Sequence, residues 1–158
     1  MIELGPRFWE KVDKTDTCWL WTGGLNTGGY GQFHVPGGGG RKMLAHRATY
    51  YATVGAVPPG KELDHRCGVR RCCNPAHLRA LTRKENQEHR RGPRKDNKSS
   101  GVLGVTWSAV AGKWRVRIQH NKVSYWGGYF DCLEEAERAA IALRNEHFTY
   151  NDMDRLAA

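Results

Sequence analysis

The stretch LDHRCGVRRCCNPAHLRALTRKENQEHRR, residues 63–91, decides the fold of the first part of this 158-residue chain. It packs cysteines, histidines, an Asp-His pair and many arginines into one segment. ELDHR and LRALT have the composition of β-strands on either side of the cysteines, and RKENQEHRR has that of a helix. The order strand, ligand-rich loop, strand, helix predicts a unit built around its loop.

The loop has the ligand spacing of a zinc site. Cys67, Cys72 and His77 form C-x4-C-x4-H, which supplies three ligands for tetrahedral Zn²⁺. Cys18 is the only cysteine upstream of the loop, and we expect it to be the fourth ligand; Cys73 is expected to fill apolar space. The alternative is a group of ordinary buried thiols, but clustered Cys and His in an intracellular chain usually bind metal.

A zinc site requires neither the Asp64-His65 pair nor Asn86. Thr82 and Glu85 form a T-x-x-E capping box, which places Asn86 near the start of a helix. Asp and Asn oxygens suit a hard cation such as Mg²⁺, and neutral imidazole can deprotonate a water near pH 7. The stretch therefore predicts a hydrolytic site beside the zinc, although Asp64 alone could be a turn carboxylate and His65 alone a core histidine.

These residues resemble the motif of HNH, or ββα-metal, nucleases, in the zinc-held variant found in His-Cys box homing endonucleases. The resemblance rests on LDHRC, CCNPAHL, LT and EN, with AHR at residues 45–47 and CWLWTGG and GYGQF before them. It implies that Asp64 and Asn86 bind a catalytic Mg²⁺ or Mn²⁺, that His65 is the general base, and that cleavage leaves 5′-phosphate and 3′-hydroxyl ends. The chain lacks the usual later helix histidine, and His89 is expected to contact solvent or phosphate instead.

The formal net charge of +9 is concentrated before residue 101. Residues 1–100 hold 18 Lys and Arg against 9 Asp and Glu, whereas the remainder is balanced. A basic surface interleaved with aromatic residues favours a polyanion partner, here double-stranded DNA. Arg47 is our candidate for contact with the scissile phosphate.

Short elements are predicted before the motif. FWEKV is expected to be an entry helix, and CWLW, GYGQFHV and RKMLAH are expected to be strands separated by glycine-rich turns, including residues 37–40. HRATYYATVG is expected to be a short helix that ends at Gly55. Residues 92–100 have the composition of a basic linker, which divides the chain into domains 1–91 and 101–158.

The C-terminal domain is predicted to be a three-stranded antiparallel sheet packed on one helix. In KWRVRIQH, Lys113, Arg115 and Arg117 alternate with apolar residues, so one face of the strand is cationic. VTW and SYWGGYF flank it as strands. A D-x-x-E capping signal from Asp131 then begins a helix with an apolar stripe comprising Leu133, Ala136, Ala140 and Leu143.

This domain resembles the plant ethylene-response-factor (Apetala-type) DNA-binding domain, over about residues 99–148. The resemblance rests on SGVLGVTW, GKWRVRI, YWGGYF and LEEAERAA. It implies that the sheet enters the major groove, with DNA contacts from a set of cationic and aromatic residues: Lys113, Arg115, Arg117 and Trp126, with Trp107 and Gln119 behind them. Trp114 is expected to pack in the core.

The sequence thus predicts an α+β protein: a zinc-stapled ββα-metal (HNH) nuclease domain followed by a small sheet-and-helix domain. We expect a site-selective, homing-type DNA endonuclease of phage origin in the bacterial cytoplasm, since no apolar run approaches the ~20 residues of a membrane span. An odd number of cysteines also suits a reducing compartment. The rivals are a non-catalytic zinc-containing DNA-binding regulator and an RNA-binding or ribosome-associated zinc protein. Monomer or homodimer, and nicking or double-strand cleavage, stay open.

Overall fold

A computed structural model describes residues 3–35, 41–89, 97 and 99–155. The chain mixes short helices with small antiparallel sheets, as predicted, and divides into two compact units, Met1–Asn86 and Gln87–Ala158. The predicted linker lies mostly outside the described residues and stays a prediction, and the glycine run at 37–40 lies outside them as well. Among the helices described, none is long and apolar enough to cross a membrane.

Within its described residues, the first unit contains three two-stranded antiparallel sheets. Its elements, in chain order, are α1 (Pro6–Trp9), β1 (Val12–Lys14), β2 (Trp19–Trp21), β3 (Gln32–His34), β4 (Lys42–Leu44), α2 (Ala45–Thr53), β5 (Lys61–His65), a 3₁₀ turn (Pro75–His77), β6 (Leu78–Thr82) and α3 (Arg83–Glu88). The sheets pair β1 with β2, β3 with β4, and β5 with β6. The predicted strand, loop, strand, helix order around residues 63–91 is therefore confirmed.

The predicted entry helix is wrong in its position. The helix ends at Trp9, and Val12 begins β1 opposite Trp21. The Lys11 carbonyl accepts a hydrogen bond from the Thr22 amide at 2.9 Å, so it faces the neighbouring strand. Pairing with β2 satisfies backbone groups that a longer helix would have satisfied internally.

An aromatic cluster forms the core of the first unit. The rings of Phe8, Trp21 and Phe33 lie 4.9–6.1 Å apart, centroid to centroid, and two of the three pairs meet edge to face. Cys73 is buried in the same cluster, which confirms its predicted role as apolar filler. Gly31 lies against Trp21, where a Cβ would stand 2.6 Å from the indole, so only glycine fits this approach.

The β5–β6 hairpin presents the Asp-His pair, and α3 follows it directly. The register opposes Asp64 to Arg79 and His65 to Leu78. The predicted capping box is confirmed: the Thr82 amide donates to Glu85 Oε2 at 2.7 Å, and the Glu85 amide donates to Thr82 Oγ1 at 3.3 Å. These reciprocal bonds fix where α3 begins.

The second unit is a three-stranded antiparallel sheet packed on a helix, as predicted. Its elements are β7 (Val105–Ser108), β8 (Lys113–His120), β9 (Val123–Phe130), α4 (Leu133–His147) and α5 (Asp152–Arg155), with β8 in the centre of the sheet. Val116 and Ile118 are buried, whereas Arg117 and Gln119 are exposed, so the predicted alternation of β8 is confirmed. Ala136 and Ala140 of α4 are buried against the apolar face, and Leu133 and Leu143 pack beside them.

A bulge in β9 decides which aromatic residues share a face. Arg117 pairs with Trp126 but Val116 pairs with Gly128, so Gly127 is the extra residue. A Cβ on Gly127 would lie 2.4 Å from Val116 Cγ1, and Gly128 has φ +108°. Because one residue is inserted, Trp126 and Tyr129 lie together, with ring centroids 4.9 Å apart.

The predicted cap of α4 is wrong by one residue. Cys132 is the N-cap, and its Sγ accepts the Glu135 amide at 3.4 Å. Asp131 is instead paired with Lys113 across the sheet, at 3.1 Å. Asp131, which the sequence predicted to cap the helix, therefore forms an ion pair with Lys113 of the neighbouring strand.

Candidate active site and zinc centre

Four ligand atoms from distant parts of the first unit form one tight cluster. The Sγ atoms of Cys18, Cys67 and Cys72 and one ring nitrogen of His77 all lie within 4.8 Å of one another. His77 Nδ1 is 3.6 Å from the Sγ of Cys18 and 3.6 Å from that of Cys72. Tetrahedral Zn²⁺ with bonds of about 2.3 Å to sulfur and 2.0–2.1 Å to nitrogen would separate such ligands by about 3.6 Å. The residues therefore fit zinc.

Backbone pairing brings Cys18 to the loop. The Trp21 amide donates to the Arg71 carbonyl at 2.9 Å, and the Cys73 amide donates to the Trp19 carbonyl at 2.6 Å. These bonds extend β2 onto the loop that carries Cys72. The cysteine nearest in sequence to β2 is thereby held beside ligands about fifty residues away.

A hydrogen bond between two thiols of this cluster shifts their pKa values in opposite directions. A hydrogen bond from the Cys67 thiol lowers the pKa of Cys72 to about 4, with further help from the Asn74 amide and His77. The same bond raises the pKa of Cys67, and burial raises that of Cys18. Without a cation, neighbouring thiolates repel one another, whereas a bound Zn²⁺ would stabilise the thiolate forms of all three cysteines.

Asp64 and Asn86 lie on the side of the hairpin that also carries Glu62. Side chains two apart on a strand share a face, so Glu62 and Asp64 of β5 project the same way, about 7 Å apart. Asn86 Nδ2 donates to Glu62 Oε2 at 2.8 Å. Because its amide nitrogen is used in this bond, the Asn86 carbonyl oxygen is left as the donor that a hard cation prefers.

Asp64 also has a cationic partner. Its Oδ2 accepts from Arg79 Nε at 2.9 Å, directly across the hairpin, and the carboxylate side chain is 8% exposed. Asp64 and Asn86 thus fit a hard divalent ion by the chemistry of their oxygen donors.

His65 ends β5 and projects to the opposite face. Its Nε2 lies 3.0 Å from the Cys72 carbonyl oxygen. A carbonyl can only accept, so Nε2 carries the proton and Nδ1 is the basic nitrogen. Burial lowers the pKa of His65, which keeps the imidazole neutral near pH 7. A neutral ring with a basic nitrogen is what general-base catalysis requires.

Sequence reasoning missed three residues around these groups. Glu62 was detectable, since strand alternation places it on the face of Asp64. His46 and Tyr30 contact the His65 ring, with centroids 4.6 Å and 6.0 Å away. The AHR motif was the only sequence feature that indicated His46. Nothing in the sequence around Tyr30 predicts its contact with His65.

Arg47 and His89 differ in exposure: Arg47 is exposed, whereas His89 is buried. Arg47 is an exposed cation of α2, and its Nη2 donates to the Tyr51 hydroxyl at 3.4 Å. His89 is buried within the second unit, 3.9 Å from Asp152, so its expected contact with solvent is wrong. His89, which follows the hairpin in sequence, is therefore a packed side chain.

The cationic face of the second unit carries the predicted DNA-binding residues. Arg115 donates to Thr106 Oγ1, Arg117 donates to Ser124 Oγ at 2.7 Å, and Lys113 pairs with Asp131. Trp126 and Trp107 are about half exposed. Trp114 packs against the apolar cluster of the unit, as predicted. Large exposed aromatic side chains beside arginines are typical of a surface that receives a partner.

Part of the segment that holds this site is similar to a known protein family. Residues 43–88 match the protein-family model of the HNH endonucleases. Protein 7.7 of Escherichia phage T7 is 41% identical over 73 residues, which are 46% of this chain and 54% of that protein. Protein 2.8 of the same phage is 36% identical over 86 residues, 54% of this chain and 58% of that protein.

The match has a limited extent. The chain spans little more than half the length of these two phage proteins. No solved structure matches it. The segment that is similar to the HNH endonucleases runs from β4 to the end of α3 and holds Asp64, His65 and Asn86, with three of the four clustered zinc-type ligands.

Proposed function

We propose that the protein is a metal-dependent, site-selective DNA endonuclease of the HNH type. The observation that carries the proposal is His65, whose protonated Nε2 is held by the Cys72 carbonyl and whose Nδ1 is left basic. The two oxygen donors lie on the other side of the same hairpin. A neutral imidazole base and hard oxygen donors, all from one hairpin and the helix after it, are the groups that hydrolysis of a phosphodiester needs.

Each residue has a separate task in this proposal. His65 Nδ1 removes a proton from the attacking water. Asp64 and Asn86 would hold Mg²⁺ or Mn²⁺, which neutralises charge on the phosphate and on the leaving 3′ oxygen. Glu62 accepts from the Asn86 amide nitrogen, so the amide oxygen would be the atom that binds the cation. The products would carry 5′-phosphate and 3′-hydroxyl ends.

The Cys18, Cys67, Cys72 and His77 cluster would hold a structural Zn²⁺. Four protein ligands leave no open coordination position for substrate. The Cys72 carbonyl, which orients His65, belongs to one of these ligands. Zinc would therefore support catalysis only by holding the loop in shape.

The second unit would bind double-stranded DNA through its cationic sheet face. Arg115, Arg117 and Lys113 supply charge, and Trp126 supplies an exposed ring for contact with sugar or base. Their present side-chain partners are neutral hydroxyls or an exposed carboxylate, which DNA phosphates can replace. Arg47 is proposed to meet the scissile phosphate.

The test is incubation with supercoiled phage-type DNA in Mg²⁺, Mn²⁺ or EDTA. We expect metal-dependent nicked or linear product, which also distinguishes cutting of one strand from cutting of two. His65→Ala should abolish cleavage and leave DNA binding and zinc content unchanged. His34→Ala, at an exposed histidine of β3, is the matched control and should cut normally. Full activity of His65→Ala would remove the general-base role.

One observation favours the non-catalytic regulator. Arg79 pairs with Asp64, which is the carboxylate that a catalytic cation would need. If this ion pair excludes the cation, the protein binds DNA without cutting it. A mobility shift on DNA known to hold the binding site, with no cleavage in either metal, would support the regulator.

A further inference from the structure

Three rings from three separate elements meet beside the proposed base. The ring of His46 meets that of His65 edge to face, with centroids 4.6 Å apart and planes at 65°. Tyr30 closes the group, at 5.4 Å from His46 and 6.0 Å from His65. His65 thus has one hydrogen bond and two ring contacts, and only the hydrogen bond has been given a role so far.

The backbone fixes both neighbours of His65. Asn26 Oδ1 accepts the amides of Gly28 and Tyr30, at 3.0 Å and 2.9 Å, and so shapes the loop that delivers Tyr30. His46 lies in the first turn of α2, directly after Ala45, whose amide donates to the Gly31 carbonyl at 2.8 Å. Both rings are therefore placed by short local hydrogen bonds.

His46 has no evident task of its own. It is 5% exposed, and within the described part of the chain its Nδ1 meets no hydrogen-bond partner. Burial and the neighbouring His65 lower the pKa of His46 to about 3, so it stays neutral and cannot accept a proton at working pH. Its ring contact with His65 is what remains to explain its position.

A single hydrogen bond does not fix an imidazole. The Cys72 carbonyl holds Nε2 of His65, but the ring can still tilt about that bond. An aromatic edge packed on the ring face removes this freedom. The direction of Nδ1, on the far side of the ring, depends on this second constraint.

We propose that His46 is a positioning residue that, by packing against His65, holds the ring in the orientation where Nδ1 faces the attacking water. This inference rests on the proposed function of His65 as general base. The proposal gives His46 no contact with the cation or with DNA. Its loss should therefore slow the chemical step and leave DNA affinity unchanged.

Two substitutions separate packing from other roles. His46→Phe keeps an aromatic edge against His65 and removes both nitrogens, whereas His46→Ala removes the ring. Single-turnover cleavage of supercoiled DNA and DNA affinity in EDTA are measured for both, with thermal unfolding to confirm that each variant is folded. We expect His46→Ala to cut about 10- to 100-fold more slowly with unchanged affinity, and His46→Phe to stay within about threefold of the parent, since its aromatic edge still packs on His65.

Imidazole ¹⁵N chemical shifts of His65 give a readout that does not need cleavage. In the parent and in His46→Phe, His65 should show one narrow pair of ring ¹⁵N signals with Nε2 protonated. In His46→Ala, Nε2 should stay protonated because the Cys72 carbonyl still accepts from it, but both signals should broaden as the ring tilts about that bond. Ring ¹⁵N signals of His65 that stay as narrow in His46→Ala as in the parent, or a cleavage defect in His46→Phe as large as in His46→Ala, would overturn the inference. If the parent chain fails to cut DNA, the proposed function fails, and the ¹⁵N result still decides whether His46 positions His65.

Discussion

Asn86 Nδ2 donates a hydrogen bond to Glu62 Oε2 at 2.8 Å, which links the helix of the proposed cation site to its first strand. The bond decides which end of the Asn86 amide is available to a cation. Glu62 lies on the same face of β5 as Asp64, so in the proposed site the strand would supply one carboxylate that binds the cation and another that orients Asn86. Groups that orient a metal ligand commonly change metal affinity by about 10- to 100-fold when removed.

Glu62→Ala should raise the Mn²⁺ concentration needed for half-maximal cleavage by about tenfold, because the Asn86 amide is then free to turn. Glu62→Gln is the matched variant, since its side-chain oxygen can still accept from Asn86 Nδ2. Metal titrations of cleavage, with Mn²⁺ binding followed by electron paramagnetic resonance, measure both. A Gln variant as weak as the Ala variant would show that Glu62 binds the cation itself.

Loss of a zinc ligand should remove the metal and the stability together. Cys67→Ser and Cys18→Ser should each lower bound zinc from about one per chain towards zero and lower the unfolding temperature, because the loop that they hold loses its cross-link. Metal analysis of the purified chain and thermal unfolding check this. Cys132→Ser is the control: it lies at the cap of α4, where serine caps equally well, and should keep its zinc.

The sequence predicted best what depends on local spacing. C-x4-C-x4-H identified three clustered ligands because a metal needs donors of known type at short separation, and Cys18 followed as the remaining upstream thiol. Contacts between elements could not be predicted from the sequence. Whether Asn86 meets Glu62, or His46 meets His65, depends on how a helix packs on a hairpin.

Two wrong predictions have the same physical cause. FWEKV has helical composition, but pairing of Val12 with Trp21 outweighs a weak helix preference over so few residues. Asp131 suits a helix cap, but Lys113 lies opposite it on the sheet and forms an ion pair with its carboxylate. In both cases a strand neighbour, distant in sequence, decided the local structure.

DNA binding should depend on the sheet face of the second unit. Arg117→Ala should weaken DNA affinity and, if Arg117 contacts a phosphate, reduce the slope of log affinity against log salt by about 0.9. Trp126→Ala should weaken binding by removing a stacked or packed ring, at about 1–3 kcal/mol for a base contact, with little change in salt slope. Fluorescence anisotropy over a series of salt concentrations measures both quantities.

Arg138→Ala is the matched control for the sheet face. Arg138 is an exposed cation on α4, which packs against the opposite, apolar face of the sheet. Its removal lowers the net charge by the same amount as Arg117→Ala. Equal losses of affinity in the two variants would mean that only overall charge attracts DNA, and that the sheet is not the binding surface.

Acid should destabilise the first unit through His46. Its pKa in the folded chain is about 3, below the ordinary value of 6.5, so between these values the unfolded chain binds a proton that the folded chain does not. The contribution of His46 to the free energy of unfolding is therefore fully present above about pH 6.5. It falls as pH decreases, by at most about 1.4 kcal/mol per pH unit. His46→Phe removes the titrating group. With saturating zinc throughout, the free energy of unfolding of the parent, measured by urea denaturation, should fall by about 2 kcal/mol more than that of His46→Phe between pH 7 and pH 5; equal slopes would show that His46 is accessible to protons in the folded chain.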